Sequence, residues 1–319
     1  MSSKTPEAQA LLIVALPGAA ALAGQLATRL RCAWSELALH RFPDGETLVR
    51  LDAPVHGRCV VFAGSLHQPD DKTLPLLFAA DAARELGASQ VGLVAPYLAY
   101  MRQDQRFHSG EAVTSRSYAR LLSCSLDFLI TVDPHLHRWR TLAELYPIRT
   151  QVVASAPLVA RWVTRHVPNP LLVGPDHESE QWVADVAALV DAPWTVMTKQ
   201  RRGDHEVHVT LAHRGRWKAR TPVLLDDIVS TGHTLLAASE ALREADLAAP
   251  VCVIVHALFE PDAQWRLVEG GLSRVVSCDT IAHPTNAIRT APLLARALRD
   301  MLRSDAAGPA RGRQLGHGA

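Results

Sequence analysis

Runs of four to six apolar residues alternate along this chain with amphipathic stretches of helical length, and the whole alternation occurs twice. In the first half, residues 11–16, 59–63, 90–95 and 128–132 read as strands, and 19–31, 73–86 and 115–124 read as the helices between them. The second half repeats the scheme. Strands are expected at 170–173, 194–197, 207–211, 223–225, 251–257 and 275–278, and helices at 158–165, 180–189, 234–245 and 291–302. Short buried strands joined by helices imply parallel sheets with right-handed crossovers. Residues 41–51 break the pattern and look like a hairpin. The expectation is two tandem α/β domains, each with a mostly parallel central sheet flanked by helices. Their bounds are 1–148 and 149–304, and the last helix is able to pack back on the first domain. The stretch 305–319, rich in Gly, Arg, Pro and Ala, reads as a disordered tail.

Composition narrows the function classes. The 33 Lys and Arg residues balance 32 Asp and Glu residues, so the chain offers no general surface for a polyanion. Aromatic residues make up only 5%, too few for the usual base-stacking platform. A nucleic-acid partner is therefore not expected. No uninterrupted apolar run reaches the length of a membrane span, so no membrane partner is expected either. Residues 11–16 follow acidic Glu7 and break at Pro17-Gly18, which suits a buried strand better than a signal-peptide core. The five cysteines are widely spaced and form no CxxC pair, which fits reduced thiols and a cytoplasmic location.

The sharpest local signal runs from Val223 to Thr234. An apolar strand leads into Asp226 and Asp227, and a loop of small and polar residues, Ser230-Thr231-Gly232-His233-Thr234, opens a helix. Such a turn can aim backbone N–H groups and a helix N-terminus at a phosphate. Thr231 and Thr234 can add hydroxyls, and the two carboxylates suit vicinal hydroxyls or a metal held against them. The run has neither the Walker Gly-Lys-Ser/Thr ending nor the dinucleotide GxGxxG pattern. It resembles the signature of the phosphoribosyltransferase superfamily, which includes both base transferases and the ribose-phosphate diphosphokinases.

Further segments resemble the diphosphokinases in particular. Pro96 to Arg106 looks like their PYxxYxRQD segment, with Arg102, Gln103 and Asp104. The run Arg41-Phe42-Pro43-Asp44-Gly45-Glu46 looks like their adenine-pocket segment, Asp133-Pro134-His135 like their metal segment, and Gly174-Pro175-Asp176 like their (S/G)PD segment. Lys199-Gln200-Arg201 resembles the K-x-R of their catalytic loop, and His283 to Ile288 the segment before their last helix. The resemblance implies transfer of the β,γ-diphosphoryl group of Mg-ATP to the C1 hydroxyl of ribose 5-phosphate, giving phosphoribosyl diphosphate (PRPP) and AMP.

The same resemblance implies roles. Lys199 and Arg201 would be catalytic. Phe42, Asp44, Glu46, Arg102, Gln103 and Asp104 would hold ATP. Asp176, Asp226, Asp227, Ser230, Thr231, Gly232, His233 and Thr234 would hold ribose 5-phosphate. Asp133, His135 and Asp176 would face Mg2+. A pocket shared between subunits implies a homodimer or larger homo-oligomer. Some features depart from the family pattern. Ser230 and His233 stand where the family often has Asp and Gly. His177-Glu178-Ser179-Glu180 puts negative charge beside the phosphate site. Two other readings stay open: a PRPP-dependent phosphoribosyltransferase, and a non-catalytic regulatory relative of the synthetases.

Overall fold

A computed structural model describes residues 10–136, 138–202, 206–210 and 217–306. The first sheet holds β1 (Leu11–Ala15), β2 (Ala33–Arg41), β3 (Thr47–Leu51), β4 (Cys59–Ala63), β5 (Gln90–Ala95), β6 (Phe128–Val132) and β7 (Arg149–Val153). Their order is β3-β2-β1-β4-β5-β6-β7, parallel except for the antiparallel β2–β3 hairpin. The intervening helices are α1 (Ala20–Leu30), α2 (Asp70–Glu85) and α3 (Thr114–Ser125).

The second sheet holds β8 (Pro170–Gly174), β9 (Trp194–Val196), β12 (Thr221–Val229), β13 (Val251–Ala257), β14 (Arg274–Cys278) and β15 (Asn286–Ile288), in the order β15-β14-β13-β12-β8-β9. All its pairs are parallel. A separate antiparallel hairpin is made by β10 (Thr198–Arg202) and β11 (Glu206–Thr210). The helices of this half are α4 (Ala156–His166), α5 (Glu180–Val190), α6 (His233–Glu244), α7 (Ala263–Glu269) and α8 (Ala291–Ala306).

Strands β1, β5 and β6 are buried along all or nearly all of their length, which is why unbroken apolar runs marked them in the sequence. β2, β7, β10 and β15 escaped that criterion. β2, AWSELALHR, is mostly exposed, and β7, RTQVV, lies at the sheet edge and opens with three polar residues. Because β7 pairs with β6, the first sheet ends after Val153. The expected boundary at 148/149 therefore falls one strand too early. α8 runs through Ala306, two residues into the expected tail, and residues 307–319 lie outside the described residues.

The halves share a core. One apolar cluster joins Ile13, Ala23 and Ile130 of the first half to Val159, Leu172, Val253 and Leu298 of the second. α8 packs on α1, β6 and β7, and Arg299 donates to the carbonyl of Arg29 at 3.1 Å. Two further clusters cover the outer faces, one around Phe62, Leu76 and Tyr118 and the other around Leu224, Leu242 and Ile254. Among the described residues no helix is long and apolar enough to cross a membrane. None of the five cysteines is in a disulfide, and Cys252 and Cys278 are buried.

Candidate active site

Parallel sheets offer ligands a crevice where two neighbouring strands send their connections in opposite directions. In the second sheet that point lies between β8 and β12, since β8 leads outward to β9 and β12 leads the other way to β13. The β12–β8 ladder ends at Leu224↔Val173, whereas β12 stays paired with β13 to Val229. Asp226 and Asp227 therefore stand within the strand, not past its end, on the edge that β8 has vacated. They line a cleft of about 760 Å3 together with Arg102, Asp133, His135, Asp176 and Thr234.

The chain leaves β6 at Asp133 with φ 31°, an uncommon conformation for a residue with a Cβ. The Asp133 carboxylate is held by Ser155, whose backbone N–H and hydroxyl donate to Oδ2 at 2.9 and 2.5 Å. Burial raises its pKa, and the Ser155 hydrogen bonds pull the other way. The Asp133 carbonyl lies 3.2 Å from Nε2 of His256, whose Nδ1 is 2.9 Å from the Thr280 hydroxyl. Burial pushes His256 down to about 4, so the ring is neutral at neutral pH. The Nε2–H tautomer donates to the Asp133 carbonyl and leaves Nδ1 as an acceptor for the Thr280 hydroxyl, for whose hydrogen the Val255 carbonyl competes at 2.7 Å. His256 thus ties the second sheet to the backbone of the first beside the cleft.

His135 reaches across the same junction, with Nδ1 2.8 Å from Oδ2 of Asp227. Asp226 accepts from the backbone N–H of Asp227 at 3.0 Å, and Asp176 accepts from that of Glu178 at 3.1 Å. The loop from Ser230 to Thr234 is pinned from behind. The Ser230 carbonyl accepts from the backbone of Glu260 at 3.1 Å, and the Thr231 carbonyl from Arg266 at 3.4 Å. Gly232 has φ 79°, and a Cβ there would come within 3.1 Å of Leu267. The turn therefore requires glycine and delivers the first turn of α6 to the cleft. His233 opens α6 and is exposed, and its backbone N–H lies 3.5 Å from Oγ1 of Thr231.

Other expected site residues lie elsewhere. Gln103 contacts the Gln105 carbonyl at 3.5 Å and Glu111 at 3.4 Å, and Asp104 is 3.4 Å from Arg138. Neither lines the cleft. Phe42, Asp44 and Glu46 sit on the β2–β3 hairpin, where Phe42 is 39% exposed and Asp44 accepts from the Glu46 backbone at 3.1 Å. They do not line the cleft of their own chain. Lys199 and Arg201 occupy β10, opposite Val209 and Val207 of β11. Their side chains, like residues 203–205 and His137, lie outside the described residues.

Gln181, Trp182 and Asp185 also line the cleft and were not singled out by sequence reasoning. Gln181 donates to Asp185 one helical turn on, at 3.0 Å, so their spacing was the available signal. The acidic run divides. Glu178 lines the cleft, while Glu180 turns to His177 at 3.5 Å. The cleft thus carries the carboxylates of Asp133, Asp176, Glu178, Asp185, Asp226 and Asp227 against Arg102 and His135. Among the described residues no three His, Cys, Asp or Glu side chains close on one point as a metal cage. Mg2+ does not require one, because it takes one or two carboxylates and completes its shell with water and phosphate oxygens.

Two units, each a largely parallel sheet flanked by helices, meet at one acidic cleft. Residues 11–125 match the family described as the N-terminal domain of ribose phosphate pyrophosphokinase, and residues 151–292 match the phosphoribosyl transferase domain. The chain is 30% identical to the ribose-phosphate pyrophosphokinase of Methanopyrus kandleri over 293 residues, which is 91% of this chain and 99% of that protein. It is 34% identical to that of Halobacterium salinarum over 286 residues, 88% of this chain and 96% of that one. The crystal structure of phosphoribosylpyrophosphate synthetase from Mycobacterium smegmatis superposes with a TM-score of 0.80 at 24% identity, covering 93% of this chain and 100% of that one, a likeness of fold. The chain belongs to the ribose-phosphate pyrophosphokinase family.

Proposed function

We propose that the protein transfers the diphosphoryl group of Mg-ATP to the C1 hydroxyl of ribose 5-phosphate, forming PRPP and AMP. The observation that carries this reading is the convergence of both halves on one cleft. Arg102 and His135 come from the first, Asp176, Asp226, Asp227 and Thr234 from the second, and the His135–Asp227 contact joins them. The first turn of α6, with Thr231 and Thr234, takes the 5-phosphate, and Asp226 and Asp227 take the ring hydroxyls. Arg102 forks onto the phosphates of ATP.

Bound Mg2+ neutralises phosphate charge during in-line transfer. Asp176, with the Asp227–His135 pair, would hold it, and the oxygen-rich donor set suits that ion. Asp133, whose Oδ2 is already bonded to Ser155, shapes the strand end beneath His135. Lys199 and Arg201 close on the charge that develops at the transferred phosphorus. Phe42, Asp44 and Glu46 complete the adenine pocket of a second copy, so the active species is at least a dimer. The match of residues 11–125 to the pyrophosphokinase N-terminal domain favours this reading over a base transferase, which has no use for such a domain.

Purified protein given Mg-ATP and ribose 5-phosphate should produce equal amounts of AMP and PRPP. If PRPP plus a nucleobase releases pyrophosphate while ATP is left intact, the transferase reading replaces this one.

A further inference from the structure

The first sheet has a switch point of its own, and the proposed reaction does not use it. β1 leads to β2 on one side, and β4 leads to β5 on the other. A crevice of about 660 Å3 opens at the carboxyl ends of these two strands. Its walls are the β1–α1 turn (Pro17, Gly18, Ala19), the β4–α2 connection (Ser65, His67, Gln68, Lys72), and the segment after β14 in the second half, with Asp279, Asn286 and Arg289. This size is usual for a small-molecule site. No residue of this lining also lines the active-site cleft.

The polar groups here suit a phosphoryl group. The N-cap of α1 is Ala19, which has no side-chain oxygen. Among the described residues the backbone N–H groups of Ala20, Ala21 and Leu22 consequently meet no acceptor, and Ala21 and Leu22 line the crevice. Gly18, at φ 78°, has open space where a side chain would stand, so a ligand can approach the backbone. Lys72 is partly buried. Its ammonium donates to the carbonyls of Ser65 at 3.1 Å and His67 at 2.6 Å, lies 3.2 Å from Nδ1 of the His67 ring and, among the described residues, meets no carboxylate at ion-pair distance. Burial lowers its pKa, a cost that a bound anion would relieve. Arg289 is exposed and has no hydrogen bond or ion pair among the described residues. The acid in the lining is Asp279, whose Oδ1 accepts from the backbone and hydroxyl of Thr290, both at 2.7 Å.

A further group points beyond a bare anion. Gln25, on the second turn of α1, lines the crevice, and its Oε1 is out of reach of solvent with no hydrogen-bond partner. A buried acceptor left unpaired costs free energy that a ligand donor would recover.

We propose that the crevice at the β1–β4 switch point is a second ligand site for a small phosphorylated molecule, distinct from the diphosphoryl-transfer cleft. The phosphoryl group sits on the first turn of α1 between Lys72 and Arg289, and a hydroxyl or N–H of the same molecule donates to Gln25. Arg289 and Asn286 come from the second half and Lys72 from the first, so occupancy spans the junction.

Calorimetric titration of inorganic phosphate into the full chain tests this directly, with glycerol 3-phosphate as the ester probe. Wild-type protein should show two classes of phosphate site. Arg289→Ala, which removes an exposed and unpaired side chain, should weaken one class about tenfold and leave the other unchanged. Lys72→Met should weaken the same class, and a Thr231→Val/Thr234→Val double variant should weaken only the other. In that double variant, glycerol 3-phosphate should bind more tightly than inorganic phosphate, and Gln25→Leu should abolish the difference. A single class of site, or a second class that tolerates both Arg289→Ala and Lys72→Met, overturns the proposal. Should Lys72→Met unfold the β4–α2 connection, Arg289→Ala decides alone.

Discussion

The two switch-point crevices are built on the same backbone plan and lined with opposite chemistry. Between β8 and β12 the wall is acidic, with Asp176, Glu178, Asp226 and Asp227, and the helix behind it begins with a glycine turn flanked by Thr231 and Thr234. Between β1 and β4 the helix begins with alanines, the cations Lys72 and Arg289 are present, and Asp279 has its carboxylate engaged by Thr290. The strand order creates a crevice in each sheet, but the loop residues decide what each can hold. An acidic wall suits a ligand that arrives with Mg2+. A wall with spare N–H donors and cations suits a phosphoryl group without metal.

Several measurements would break or sharpen this contrast. The largest effect is expected at Lys199 and Arg201 on β10. Lys199→Ala and Arg201→Ala should each lower kcat by ~10²-fold or more, with little change in nucleotide binding, because such groups meet charge mainly in the transition state. Steady-state kinetics with wild-type kcat in both variants would remove the hairpin from catalysis.

Within the acidic crevice, Asp227→Asn and Thr231→Val should each weaken ribose 5-phosphate about tenfold to a hundredfold while leaving an ATP analogue almost unaffected. If calorimetry finds the reverse, the loop belongs to the other substrate. At the junction, His256→Leu keeps the volume but strips partners from the Asp133 carbonyl and the Thr280 hydroxyl. Urea unfolding should register a loss of roughly 1–3 kcal/mol. An unchanged midpoint would mean that the shared apolar core alone fastens the halves.

Smaller effects test the wall itself. Glu178→Gln removes one exposed charge from the cleft, and the KM for ribose 5-phosphate should fall no more than about fivefold, the usual scale of a solvent-screened interaction. His233→Gly should change least, since His233 offers the loop little beyond its backbone. A large loss there would show that its imidazole touches the substrate.

The sequence was most legible where burial is complete. Strands β4, β5, β6 and β13 were located to the residue because a strand covered on both faces is apolar along most of its length. β2 and β7 were missed because an exposed or edge strand needs no such pattern. Legibility of the site followed a similar rule. Asp176, Asp226, Asp227 and Thr234 lie in segments whose local order already describes a strand, a turn and a helix start. Nothing local could indicate that Ser155 holds Asp133, or that His256, far along the chain, supports the same backbone.

By itself the sequence determined the repeated α/β plan, the position of the loop from Ser230 to Thr234, and the family whose segments recur in order from Phe42 to Ile288. These depend on short-range patterns of polarity, φ preference and capping, which a linear reading captures. Only the tertiary structure decided that β7 belongs to the first sheet, that Gln103 and Asp104 turn away from the cleft, and that a second crevice gathers Gln25, Lys72 and Arg289 from three distant stretches of chain. Which side chains meet across a junction depends on how two sheets pack through a common core, and that packing is a sum of many weak contacts between residues remote in sequence.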